Sequence, residues 1–330
     1  MFMEFRTKVE LPVNVPFINH SDRLMLWGSC FAENIGKLFI DNKFRCDVNP
    51  FGVLYNPLSI ANALGQVLCH KRYEESDLKC ERGVWLSLMH HGSFSSGSAE
   101  ECLKKINARI RQAEETLAQT QWMIFTWGTS WVYEWKETGE VVGNCHKLPE
   151  RLFSRHILKV EDIVEAYGAL IERLLSLNPR MHCLFTVSPI RHIKDGMHGN
   201  QVSKAVLLLA IQRLTGQYPS CLYFPSYEIM MDELRDYRFY ADDMLHPSSV
   251  AVDYLWECFG KTFFSPSARS FLEAWEKVKK ALAHRPFDAE SEQYRRFLSQ
   301  ILLNIEELKE KFTYLDVQNE IELCQARLKK

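Results

Sequence analysis

The 330-residue chain is 46% hydrophobic and 12% aromatic, enough apolar material for one large α/β domain with an appendage. Forty Lys and Arg stand against 42 Asp and Glu, a formal net charge of −2, with no basic run longer than Lys329-Lys330, which argues against nucleic acid or anionic lipid as a partner. Charges at Glu4, Arg6, Lys8 and Glu10 interrupt the first ten residues before a secretory or membrane-spanning apolar stretch can form, so the expectation is a cytoplasmic protein with no membrane partner.

Strand-like runs alternate with helix-like ones, the mark of a parallel sheet covered on both faces. In chain order they are strand 24–27, helix 32–41, strand 45–48, helix 57–70, helix 99–119 and strand 122–127. Helix 161–177, strand 181–187, helix 200–215, strand 221–224 and helix 248–263 follow. The helices carry apolar residues at three- and four-residue steps, and Asn56 before Pro57, Ser98 before Ala99 and Ser248 after Pro247 are suitable N-caps. Residues 131–135 and 140–143, joined across Glu137-Thr138-Gly139, read as a hairpin insertion. Ser265-Pro266-Ser267 is a break, dividing the chain into a domain of residues 1–264 and a helical extension of residues 265–330. The extension holds helices 271–283, 289–312 and 315–328, and Leu302, Ile305, Leu308 and Phe312 share one face. That face either covers the domain or serves as an arm for a homo-oligomer. No internal repeat stands out.

The ten cysteines have no Cys-x-x-Cys spacing and read as small buried hydrophobes in a reducing compartment. Cys69-His70, Cys145-His146 and His182-Cys183 are adjacent pairs, and neighbours on a strand point to opposite faces, so no metal site is expected.

The most informative segment is Gly28-Ser29-Cys30-Phe31-Ala32, set between the first strand and the first helix. A serine there lies at the carboxyl end of a strand and beside the free N–H groups of a helix N-terminus, surroundings that suit a developing oxyanion. Ser29 needs a base and a group to orient that base, and Asp243-Met244-Leu245-His246, in a turn ending at Pro247, offers both. Asp195-Gly196-Met197-His198 has the same spacing; with 11 histidines about one such motif arises by chance. Cys30 is the rival nucleophile, because a helix N-terminus depresses a thiol's pKa, but its place beside Phe31 suggests the buried start of the helix.

The same pentapeptide, together with Asn49-Pro50-Phe51-Gly52-Val53-Leu54-Tyr55-Asn56-Pro57, Asn144-Cys145-His146-Lys147, Ser188-Pro189-Ile190-Arg191-His192 and Asp195-Gly196, resembles the GSCFA family, over about residues 20–260. That family in turn resembles the SGNH (GDSL-like) hydrolases. The resemblance implies a three-layer α/β/α, flavodoxin-like fold with a parallel sheet, and a serine nucleophile served by an Asp-x-x-His near the end of the domain. It therefore favours Asp243 and His246 over Asp195 and His198. It also implies an oxyanion hole completed by a glycine after the second strand and an Asn in a Gly-x-Asn pattern. Gly52 takes the glycine's place, its N–H acting with that of Ser29, but strand 122–127 ends in Gly128-Thr129-Ser130. Ser130 or Thr129 thus stands where the Asn is expected, with Asn144, His146 and Asn56 as substitutes.

The function expected is a serine acyl-ester hydrolase, or an O-acyltransferase using the same acyl-enzyme, that acts on a small ester such as an acetylated carbohydrate and needs no cofactor. Trp127, Trp131 and Trp135 suit either a sugar platform or hairpin packing; His90-His91-Gly92-Ser93-Phe94 suits either a pocket wall or a surface loop. The alternative is a catalytically idle module that holds a glycan or a protein in the same cleft.

Overall fold

Residues 6–288 and 290–329 are described by the structure, a computed structural model. Among the described residues ten strands run as β1 Arg23–Gly28, β2 Arg45–Val48, β3 Lys79–Glu81, β4 Val84–Leu86, β5 Trp122–Trp127, β6 Trp131–Trp135, β7 Glu140–Val141, β8 Phe153–Ile157, β9 His182–Val187 and β10 Cys221–Tyr223. The helices are α1 Cys30–Asp41, α2 Pro57–Leu68, α3 Ala99–Leu117, α4 Val160–Leu177, α5 Gly196–Gln217, the single turn α6 Ser226–Glu228, α7 Ser249–Phe263, α8 Pro266–Ala283, α9 Glu292–Lys311 and α10 Gln318–Leu328.

Five of these strands form one parallel sheet in the order β10-β9-β5-β1-β2. Taken in chain order as first to fifth, they stand 2-1-3-4-5, the flavodoxin-like arrangement. The order reverses between β1 and β5, so the loops leaving those two strands diverge to opposite faces and open a crevice at their carboxyl ends. Both faces of the sheet are buried, as a parallel sheet requires. Met25, Trp27, Met123, Phe125, Trp127, Cys183 and Phe185 point into a cluster shared with α2, α3, α4 and α5. Leu24, Leu26, Trp122, Ile124 and Leu184 point the other way, into a cluster shared with α1 and α7.

The five predicted sheet strands and the six predicted domain helices are all present. Three features differ from expectation. The hairpin of β6 and β7 gains a third antiparallel strand, β8, on the far edge of β6. A second hairpin, β3–β4, turns on Arg82 and Gly83, both at positive φ. Helix α5 begins at Gly196 instead of residue 200 and thereby absorbs His198.

Ile18 pairs with Phe264, its N–H donating to Phe263 O at 2.6 Å and its carbonyl accepting from Ser265 N at 3.0 Å. Ser265 then caps α8, whose Ala268 is still in the core beneath α7. Helices α8, α9 and α10 close a third cluster around Phe271, Trp275, Leu298, Ile301 and Ile305, with Leu302, Leu308 and Phe312 also packed in it. The expected apolar face is thus covered within the chain. The predicted start of the middle helix, Ala289, lies outside the described residues. The tail meets the α1–β2 turn: Trp275 Nε1 donates to Asp41 O at 2.9 Å, Lys279 Nζ to Asn42 Oδ1 at 2.9 Å, and Lys43 pairs with Glu320 at 2.7 Å. No helix among the described residues is long and apolar enough to cross a membrane.

Candidate active site

Strand β1 ends at Gly28, where a Cβ would stand 2.2 Å from Thr126 O, so only glycine lets β1 and β5 run this close. Ser29 follows as the N-cap of α1, extended in backbone and 1% exposed, its Oγ accepting from Phe31 N at 3.3 Å and its own N–H donating to Thr126 O at 3.3 Å. The segment from Asn49 to Pro57 wraps over the carboxyl ends of both strands. Asn49 Oδ1 accepts from Gly28 N at 2.8 Å, Leu54 N donates to Gly28 O at 3.0 Å, and Tyr55 O accepts from Gly128 N at 2.7 Å and Thr129 N at 3.0 Å. Asn56 then caps α2, its Oδ1 accepting from Ser59 N at 2.8 Å.

The crevice holds a cavity of about 410 Å³ lined by Ser29, Cys30, Asn56, Asn144, His192 and His246, with Thr129, Trp131, Arg155 and Asp195 further along its wall. Its position is the switch point between β1 and β5. Ser29 and His246 are therefore brought to one cavity, and no hydrogen bond joins them among the described residues.

His246 is set by a tight turn between Tyr240 and Pro247, with Ala241 N donating to His246 O at 2.8 Å and Met244 at positive φ. Asp243 organises that turn: Oδ1 accepts from Leu245 N and His246 N, each at 2.9 Å, and Oδ2 meets His246 Nδ1 at 2.5 Å. The His246 N–H, the Leu245 N–H and the His246 ring hold the Asp243 carboxyl down at about 2, so it is an anion whenever the imidazole is in play. The second Asp-x-x-His does not assemble. Asp195 is bound by Arg155, with both guanidinium contacts at 2.6 Å, while His198 sits exposed on α5 and does not line the cavity.

Four expectations need correction. Gly52 N–H is engaged in a turn to Asn49 O at 2.8 Å, and the residue lies against His91 instead of lining the cavity, so it is not a ready oxyanion donor. Ser130 is fully buried, its Oγ 3.1 Å from Ser203 Oγ and 3.2 Å from Ser203 O; it locks the end of β5 to α5, and its neighbour Thr129 faces the cavity. His146 turns away, its Nε2 2.8 Å from Ser87 O, and burial lowers its pKa. Cys30 is not buried at the helix start: it is partly exposed on the cavity wall, Sγ 3.7 Å from the Tyr55 hydroxyl. Asn144, by contrast, does reach the cavity. Of the tryptophans only Trp131 does so, with Arg155 over its ring at 4.2 Å. Trp127 is core, and His90, 1% exposed and stacked on Phe51 at 4.1 Å, is a core histidine that burial pulls down to about 3.

The residues not foreseen belong to the Ser188–His192 segment and to α5. Arg191 donates through Nη2 to Met244 O and through its backbone N–H to Leu245 O at 3.3 Å, and its guanidinium lies 4.3 Å over the Tyr240 ring. It thus braces the turn that carries His246. Lys204 is fully buried without a carboxylate partner among the described residues; its Nζ donates to Gly128 O and Ser188 O, both at 2.7 Å, tying the ends of β5 and β9 together. Burial pulls its pKa down to about 7. A usable signal was present: the buried stripe of α5 runs Asn200, Ser203, Lys204, Leu207, Ala210, Ile211, Leu214, and three polar side chains on a core-facing stripe must be bonding something.

The family model described as GSCFA family matches residues 23–259, and the model described as GSCFA domain protein, C-terminal domain, matches residues 275–330. No curated protein matches the chain in sequence. Among solved structures, a carbohydrate esterase family 3 from Talaromyces cellulolyticus aligns at 10% identity and TM-score 0.34, over 76% of this chain and 98% of that one. An acetyl esterase mutant with an acetate ion aligns at 9% identity and TM-score 0.33, over 78% of this chain and 99% of that one.

Proposed function

The chain belongs to the GSCFA family, and we propose that it is a serine acyl-ester hydrolase, or an O-acyltransferase working through the same acyl-enzyme, on a small ester such as an acetylated carbohydrate. The observation that carries this reading is the meeting of Ser29 and His246 at one cavity on the sheet's switch point, with Asp243 bonded behind the imidazole. Ser29 Oγ attacks the ester carbonyl and His246 accepts its proton. Asp243, on Nδ1, keeps the other ring nitrogen available for that proton and stabilises the imidazolium. The leaving alcohol takes the proton back; water or an acceptor hydroxyl then repeats the cycle on the acyl-enzyme.

Two donors suit the oxyanion better than Gly52 and Ser130 do. The first amide of α1, Cys30 N–H, has no partner within its helix, and Cys30 lines the cavity. Asn56 is fixed by its Oδ1 bond to the α2 cap, which orients its amide N–H group on the same wall. The binding-module reading has one observation in its favour: Ser29 Oγ is turned to Phe31 N, as an ordinary helix cap would be.

Hydrolysis of a small aryl acetate tests the proposal. Ser29→Ala should lower turnover at least about a thousandfold with the fold intact. Equal turnover by the two proteins, or none by either, removes the esterase reading.

A further inference from the structure

His192 lines the cavity, yet the relay does not use it. Its Nε2 is buried and takes no hydrogen-bond partner among the described residues. An orphaned polar nitrogen is costly, so its place on the wall of a site suits a partner that arrives during the reaction. Gly128 marks where that partner would be. A Cβ there would stand 3.3 Å from His192 Nε2, 3.5 Å from Ser29 Cβ and 3.0 Å from Tyr55 O, so the orphaned nitrogen and the nucleophile's side chain converge on one point.

The ring is held in place. His192 N donates to Asn200 Oδ1 at 3.0 Å, and the imidazole meets the Tyr55 ring edge-on at a centroid distance of 6.0 Å. Burial, then the charges of Lys204 and His246, pull its pKa down to about 4, with Asp195 alone acting the other way. Asp195 is itself neutralised by Arg155. No carboxylate among the described residues is bonded to the His192 ring, and an imidazolium there would face the Lys204 ammonium. These surroundings suit a neutral ring that donates a hydrogen bond and oppose one that accepts a proton.

We propose that His192 is an oxyanion donor, its Nε2–H directed at the negative oxygen formed when Ser29 adds to the ester carbonyl, in the role the Asn of a Gly-x-Asn motif would otherwise fill. The donor changes no charge and gives up no proton; the tautomer carries its hydrogen on Nε2. The inference rests on the serine-hydrolase reading, and its test separates the two.

The experiment measures kcat, KM and the pH–rate profile for an aryl acetate in wild type, Ser29→Ala, His246→Ala, His192→Phe and His192→Gln, with thermal melting to verify folding. Wild type should turn over, and Ser29→Ala and His246→Ala should not. His192→Phe should lose about a hundredfold in kcat, with KM within about threefold and the acid limb of the profile unmoved. His192→Gln, which keeps an N–H donor, should regain at least about tenfold over His192→Phe. Full kcat in folded His192→Phe, beside a dead Ser29→Ala, overturns the donor role and leaves the hydrolase reading standing. A lost acid limb in His192→Phe or His192→Gln overturns it in favour of a base. Absence of Ser29-dependent turnover in wild type overturns both.

Discussion

Replacing Lys204 by Met sets two effects of similar size against each other, and pH decides between them. The ammonium is fully buried, with a folded pKa of about 7 against an ordinary 10.5. Between pH 6 and 8 the unfolded lysine stays protonated while the folded one goes from mostly charged to mostly neutral. The unfolded state therefore binds more protons, by about half a proton on average over two pH units, and stability rises with pH by about 1.4 kcal/mol. The gain continues toward pH 10.5 and is absent below the folded value. At pH 7 the ionisation penalty amounts to about 4 kcal/mol. Lys204→Met removes that penalty but leaves Gly128 O and Ser188 O without their donor, at about 1–3 kcal/mol each. The net change at pH 7 is thus small, and the informative quantity is its slope. Urea denaturation of both proteins at pH 6, 7 and 8 should show the mutant losing about 1.4 kcal/mol relative to wild type across the range. The other titrating groups are common to both proteins, and the folded titration of His192, which the Lys204 charge helps pull down to about 4, lies below this range. Parallel stability curves would refute the assignment of a shifted, buried ammonium to Lys204.

Trp275→Ala should destabilise the chain by about 3–5 kcal/mol, read as a lowered melting temperature, because it empties the centre of the third cluster and removes the bond to Asp41 O. The same variant should keep its specific activity at temperatures where it is folded. Asp41 ends α1 and Ser29 begins it, about 18 Å apart for twelve residues of helix; a loss of specific activity in the folded variant would tie the tail to the site. Gly128→Ala places a methyl 3.0 Å from Tyr55 O and 3.3 Å from His192 Nε2, so it should cost about 1–3 kcal/mol in stability and depress kcat more than KM in the ester assay.

The centre of the sheet was legible in the sequence because β1, β5 and β9 are mostly apolar runs buried on both faces, and the helices were legible because their stripes and caps agree. Strand β8, Phe-Ser-Arg-His-Ile, was not, since only Phe153 is buried and an edge strand of an antiparallel insertion has little apolar signal. Hairpin β3–β4 turns on Arg-Gly instead of Asn-Gly or Asp-Gly, which removes the usual turn signature. The Ser29 elbow and the Asp243–His246 turn are local motifs that spacing could nominate, but Asp195–His198 has the same spacing and only the family resemblance set Asp243 and His246 above it. The oxyanion donors could not, because whether a backbone N–H is free depends on the carbonyl that reaches it: Gly52 N–H is lost to Asn49 O, a bond that the residue types do not announce. Cys30 was misplaced for a related reason. With Ser29 as N-cap the helix begins at Cys30, two residues before the expected start, which turns Cys30 onto the cavity wall while Phe31 enters the core.

The most direct test of the central claim is the site of covalent capture by a fluorophosphonate, mapped by peptide mass spectrometry on the full chain. The adduct should fall on Ser29, vanish in Ser29→Ala and in His246→Ala, and persist in Cys30→Ser. An adduct that survives Ser29→Ala and disappears in Cys30→Ser would move the nucleophile to the neighbouring thiol and contradict the account.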